Sequence, residues 1–184
     1  MFHAAALIIG GCLVLAFAPF RAGAQALSPV SDPLQPIAFM IGRWQGTSQG
    51  QPGNGTLERE YVRILNSRFI QERSRSVYPA QDRNPKGETH EHVSIFSFDK
   101  SRGRIVFRQF HTEGFVNQYI ATTPALVDGT IVFTSEAIEN IPAGWRARET
   151  YVRLGPDELE ELFELAEPGK DFEPYSRAKL TRVR

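Results

Sequence analysis

The chain has 184 residues, of which 41% are hydrophobic, 11% aromatic and 23% charged, the proportions of an ordinary globular domain and not of a disordered segment. Its 21 Lys and Arg balance 21 Asp and Glu, so it lacks the positive excess with which a protein neutralises a nucleic-acid backbone. It contains no nucleophile elbow, phosphate-binding loop or metal-ligand spacing, and it reads as a binding protein before an enzyme.

Ala4 to Phe20 is apolar and carries no formal charge, and Ala22-Gly23-Ala24 follows as a small-x-small pattern. This predicts a secretory signal peptide over residues 1–24, cut to leave Gln25. The run falls short of the ~20 apolar residues that span a bilayer and contains Pro19, which argues against a retained anchor and against stable membrane insertion. Cleavage removes Cys12, the only cysteine, so the mature chain forms neither a disulfide nor a thiolate metal site. The expected location is periplasmic or secreted.

Residues 25–36 carry Pro29, Pro33 and Pro36 and read as an extended lead-in. Ile37 to Ile41 offers a short apolar helical turn, too brief to stand alone in water. From Gly42 onward, runs rich in Val, Ile, Phe, Tyr and Thr alternate with Gly, Pro, Asn and Asp at the spacing of an all-β sandwich or barrel. The predicted strands are Gly42 to Ser48, Thr56 to Leu65, Phe69 to Val77, His90 to Phe98, Arg104 to His111, Phe115 to Thr122, Thr130 to Ile138, Trp145 to Leu154, Leu159 to Ala166 and Tyr175 to Val183. Short turns such as Asn66-Ser67, Thr112-Glu113-Gly114 and Asp128-Gly129 join most of them, which predicts sequential antiparallel hairpins. A sheet of about ten strands avoids exposed edges by closing, so residues 37–184 are expected to form one up-and-down antiparallel β-barrel. Leu159 to Leu165 is the ambiguous element, because its glutamates favour helix.

Gly42-Arg43-Trp44, entering the first strand from the apolar turn, resembles the Gly-x-Trp opening of lipocalins and of the wider calycin group. With Arg63 to Ile70, Phe96-Ser97-Phe98-Asp99 and Gly103, Phe110-His111 and Gly114, and Leu180-Thr181-Arg182-Val183, the chain resembles lipocalin-like barrels of unknown function from bacteria. More distantly it is similar to nitrobindins, which are ten-stranded haem-binding barrels. Nitrobindins hold the haem iron through a histidine on the closing strand. Matching the ends through Arg177-Ala178-Lys179-Leu180 brings Tyr175 near that position, and no histidine follows His111. The resemblance therefore implies Tyr175 as the iron ligand if haem is bound, since tyrosinate ligates haem iron. The leading expectation is a cofactor-free barrel for a small apolar or amphiphilic molecule, with Phe96, Phe98, Phe107, Phe110, Phe115, Tyr119 and Phe133 as its aromatic lining. A ligand-free structural barrel is the rival.

The candidate ligand-binding residues are Trp44, Arg73, Arg75, His92, Arg108, His111 and Tyr119. His90 and His92 share one strand face, and a neighbouring strand can bring His111 near them. They read either as a metal set, which needs a second shell, or as hydrogen-bonded and surface imidazoles. Arg73, Arg75 and Arg108 either point inward to grip a carboxylate or phosphate head group or form an outward face paired with Glu58, Glu60, Glu72 and Glu149. A third, enzymatic reading rests on His111 with Glu113 as an acid-base pair. Closure of the first strand on the last places Trp44 at the barrel base, with Arg182 across its indole face.

Overall fold

Period-two alternation of inward and outward side chains runs through ten strands of the computed structural model, which describes residues 32–184. The signal-peptide reading of residues 1–24 and most of the lead-in lie outside the described residues. A 3-10 helix, Gln35–Met40, precedes β1 (Gly42–Gly50), β2 (Gly53–Ile64), β3 (Phe69–Tyr78), β4 (Glu88–Asp99), β5 (Arg104–His111), β6 (Val116–Ala121), β7 (Thr130–Glu139), β8 (Arg146–Arg153), β9 (Glu158–Ala166) and β10 (Glu173–Arg182). Each strand pairs antiparallel with its neighbours in the chain, and β1 pairs with β10 to close the barrel. Among the described residues no helix is long and apolar enough to cross a membrane.

The glutamate-rich segment Glu158–Ala166 is a strand despite its helix propensity, because it is hydrogen-bonded to β8 on one side and β10 on the other. A helix there would strip two strands of their partners. Tight hairpins do the remaining work. Leu65, Asn66 and Ser67 turn the chain between β2 and β3 at φ of 49°, 56° and 60°, a left-handed run that is costly outside a turn. At the closing seam, a Cβ on Gly46 would sit 1.9 Å from the Lys179 carbonyl oxygen, so only glycine lets β10 approach β1 so closely.

The 3-10 helix plugs one end of the barrel. Pro36 pre-sets its first turn, and Leu34, Ile37 and Met40 are buried against the core. Trp44 is 1% exposed, its indole nitrogen donates to the Met40 carbonyl at 2.6 Å, and the Arg182 guanidinium lies 4.2 Å from its ring centroid. Arg182 also donates to the Phe39 carbonyl at 2.7 Å, tying the plug to the seam. Above this base, Phe96, Phe107 and Phe133 fill the lower half of the barrel, with Phe107 stacked on Phe96 at 4.5 Å and edge-on to Phe133 at 5.0 Å. Phe110, expected in the lining, instead faces outward and is 46% exposed, because Ile105, Phe107 and Gln109 occupy the inner phase of β5.

Candidate functional site

The upper half of the barrel, away from the plug, encloses a cavity of about 610 Å³. Leu57, Ile138, Phe163, Leu165 and Ala178 supply apolar wall, and Pro52, Glu113, Ile141 and Pro142 from the hairpin loops stand at its mouth. His90 and His92 face inward from β4, and His111 faces inward from β5, directly opposite His92 in the strand register. Tyr175 joins the rim from β10, at the irregularity between Pro174 and Ser176, and packs edge-on against Phe163 at 5.6 Å.

A layer of buried polar groups separates this cavity from the aromatic core. Arg59 is ion-paired with Glu161 and lies 3.5 Å from Glu72. The Tyr61 hydroxyl donates to Glu72 at 2.9 Å, and the Tyr151 hydroxyl donates to Glu149. The Asn117 amide donates to the Tyr119 hydroxyl at 3.0 Å and lies 3.3 Å from His111 Nε2. Arg59 thus meets two of the three buried carboxylates of this layer, Glu72 and Glu161, but not Glu149.

The electrostatics follow from that imbalance. Burial, reinforced by the neighbouring Glu161 carboxylate, pushes Glu149 up to about 8, so it is protonated at neutral pH. Burial also works against the charge on Glu72, but the His92 imidazole and the Arg59 guanidinium outweigh it and bring that carboxyl down to about 2. Burial and the adjoining His92 and His90 lower His111 to about 3, leaving a neutral imidazole with a free lone pair. Burial, with Glu88 nearby, pushes the Tyr175 phenol up.

The structure brings together only part of the sequence-predicted set. His92 and His111 face the cavity, joined by His90. Trp44 belongs to the sealed base, and Tyr119 is buried in the polar layer, stacked on Phe107 at 4.4 Å. Arg73, Arg75 and Arg108 lie on the outer face, where Arg75 pairs with Glu91 at 3.2 Å and Arg108 approaches Glu139 at 3.8 Å. The inner phase of β3 is held by Ile70, Glu72, Ser74 and Tyr78, which turns its arginines outward. Glu58 and Glu60 do stand beside Arg75 and Arg73 in the register, but Glu72 and Glu149, read as further outer partners, point inward. Glu113 pairs with His90, 2.7 Å from Nδ1, and not with His111.

Arg59, Glu72, Glu149 and Glu161 were not singled out from sequence as interior groups. For three of them the signal was readable, since each interrupts the apolar phase of its strand: Arg59 between Leu57 and Tyr61, Glu149 between Ala147 and Tyr151, and Glu161 between Leu159 and Phe163. A charge in that phase is costly unless paired, and so marks a site.

Residues 33–182 match the profile of a family described as THAP4-like, heme-binding beta-barrel domain. Among solved structures the chain is similar to Rv2717c from M. tuberculosis, with a TM-score of 0.64 and 18% identity over 86% of this chain and 99% of that one, a likeness of fold. A de novo designed fluorescence-activating β-barrel is more remote, at a TM-score of 0.38 and 14% identity, covering 79% of this chain and 94% of the design. No curated protein sequence matches the chain. The profile match takes in the basal plug and all ten strands, and the chain belongs to the THAP4-like haem-binding β-barrel domain family.

Proposed function

We propose that the barrel binds haem in its upper cavity, with Tyr175 on the closing strand as the iron ligand. The residues present fit the group. A cavity of about 610 Å³ lies within the range that admits cofactors, its walls are apolar where Leu57, Ile138, Phe163, Leu165 and Ala178 line it, and phenol and imidazole donors face it. Haem iron accepts either donor type. The observation that carries the reading is this pairing of apolar wall with ligating side chains inside a domain of this family.

Bound haem supplies a redox-active iron able to take a small ligand. The chain's own contribution is to hold and shield it. Phe163 packs against the Tyr175 ring and restricts its orientation. The neutral His111, stacked on Phe115 at 3.9 Å, lines the cavity without bringing a charge into it. Phe163, Leu165 and Ile138 give one side of the cavity an apolar face. The reading as a receptor for an anionic amphiphile loses its anchor, because Arg73, Arg75 and Arg108 lie outside and Arg59, the one buried guanidinium among the described residues, is already paired with carboxylates.

Haemin titration followed at the Soret band tests this. Saturable one-to-one binding is expected, with a band position that changes in Tyr175→Phe. Absence of a saturable Soret change overturns the haem reading. Binding with an identical spectrum in Tyr175→Phe removes Tyr175 as the ligand. In a parallel titration with a fluorescent fatty acid, Arg108→Ala is expected to change nothing.

A further inference from the structure

We propose that His90, His92 and His111 form a site for one divalent first-row transition ion, zinc by preference, that exists independently of haem. Strand geometry creates it. His90 and His92 alternate onto the inner face of β4, and His111 stands opposite His92 on β5, so three imidazoles converge in one corner of the cavity. One nitrogen from each lies within 4.8 Å of the others, and His90 Nε2 is 3.2 Å from His111 Nδ1. Tetrahedral zinc with imidazole ligands separates its nitrogens by about 3.4 Å. The His90–His111 pair already has that spacing, and His92 reaches it by a shift of at most about 1.4 Å.

The surroundings supply what a metal site needs beyond its ligands. Metal-bound imidazoles characteristically give their other nitrogen to a carboxylate, which fixes the tautomer and raises ligand basicity. Glu113 occupies that place on His90, 2.7 Å from Nδ1, which leaves Nε2 for the ion. Glu72 lies 3.4 Å from His92 Nε2, which leaves Nδ1. For His111 the partner is Asn117, whose Oδ1 is buried without a hydrogen bond among the described residues. Rotating that amide turns Oδ1 to accept from His111 Nε2 and frees Nδ1.

The second, independent observation is His92 itself. Its side chain is 8% exposed and its Nε2 stands 3.4 Å from Glu72 Oε1, yet neither ring nitrogen has a hydrogen-bond partner among the described residues. Leaving such groups buried and unmet is costly. An ion in the corner takes the His92 lone pair and turns the opposite N–H toward Glu72, removing both deficits together. The polar layer beneath, where Glu72 and Glu161 share the single Arg59 guanidinium and Glu149 is protonated, favours a cation and disfavours an anion. A donor set of neutral imidazoles, with no thiolate, suits zinc, copper or nickel and not magnesium or calcium. Three protein ligands leave the fourth position facing the cavity, open to water or a small anion.

The site is tested on chelator-stripped protein titrated with cobalt(II) and with zinc(II), no haemin being present. One equivalent is expected to bind, cobalt giving the intense visible bands of a four-coordinate centre and zinc displacing it. His92→Ala is expected to weaken zinc by at least a hundredfold. Glu113→Gln, a substitution at the exposed rim that leaves the fold unstressed, is expected to weaken it by about tenfold with an unchanged far-ultraviolet circular dichroism spectrum. Tyr175→Phe, the substitution that tests haem ligation, should leave zinc affinity unaltered, so the two readings stand or fall separately. Weak six-coordinate cobalt spectra, binding of less than one equivalent, or equal zinc affinity in wild type, His92→Ala and Glu113→Gln would each overturn the site.

Discussion

Replacing Arg59 by Met removes the guanidinium that pairs with Glu161 and lies 3.5 Å from Glu72. Arg59 is 7% exposed and Glu72 is fully buried, so water cannot take over the pairing. At pH 7 the cheapest escape for a stranded carboxylate is to bind a proton, which from an ordinary glutamate value costs about 3.7 kcal/mol. Glu72 retains His92 at 3.4 Å, whereas Glu161 loses its main partner, so one such cost is incurred and a second only in part. The expected loss is about 3 to 5 kcal/mol, the range for breaking a buried pair from one side. Urea unfolding at pH 7 measures it. Two further measurements fix the cause: the deficit should shrink at pH 5, where protonation is cheap, and Arg59→Met combined with Glu161→Gln should regain most of the loss. A deficit below 1 kcal/mol, or one that does not change between pH 7 and pH 5, would refute the account.

Trp44→Ala should cost about 3 to 5 kcal/mol as a large aromatic leaves a closed core, and urea unfolding should show it with an unchanged m-value. Glu149 has a folded-state value raised to about 8 by burial and by Glu161, so its contribution is fully present below its ordinary value near 4.5, falls as pH rises and is gone above about 8. Stability should drop across that window by up to about 1.4 kcal/mol per pH unit, and Glu149→Gln should flatten the profile. Gly46→Val should open the seam between β1 and β10, seen as amide exchange along Thr47 to Gln49 far faster than in β5. Amino-terminal sequencing of protein recovered from an exporting host should begin at Gln25; recovery of peptides containing His3 would contradict processing.

The hairpin frame was legible because each turn has its own chemistry, and a slip of one turn would leave strands unpaired. Interior and exterior were legible only where a strand has one apolar phase. β3 reads Gln-Glu-Arg-Ser-Arg-Ser through its middle, polar on both sides, and only Ile70 and Tyr78 at its ends decide that Glu72 and Ser74 go in and Arg73 and Arg75 go out. In β5, Phe107 and Phe110 have opposite parity, so aromatic content alone left Arg108 undecided. The histidine cluster was half legible: the spacing of His90 and His92 put them on one face, but the approach of His111 depends on the register of β4 on β5, set by the Asp99 to Gly103 hairpin at the far end. The polar layer was missed because Glu72 and Glu149 looked like counter-ions for a surface.

The pairing of Trp44 with Arg182 across the seam has a kinetic consequence. Every other ladder joins strands adjacent in the chain and can zip from its own turn, whereas this one must bring together segments from opposite ends of the domain. Loop-closure entropy makes such a contact late and slow. Until β10 docks, β1 and β9 each present an open edge and the plug has no Arg182 to anchor it. Folding should therefore divide into a fast phase of hairpin growth and a slower locking phase in which Trp44 fluorescence changes. A chain shortened before Glu173 should stop at the open sheet, prone to pair with its own copies edge to edge.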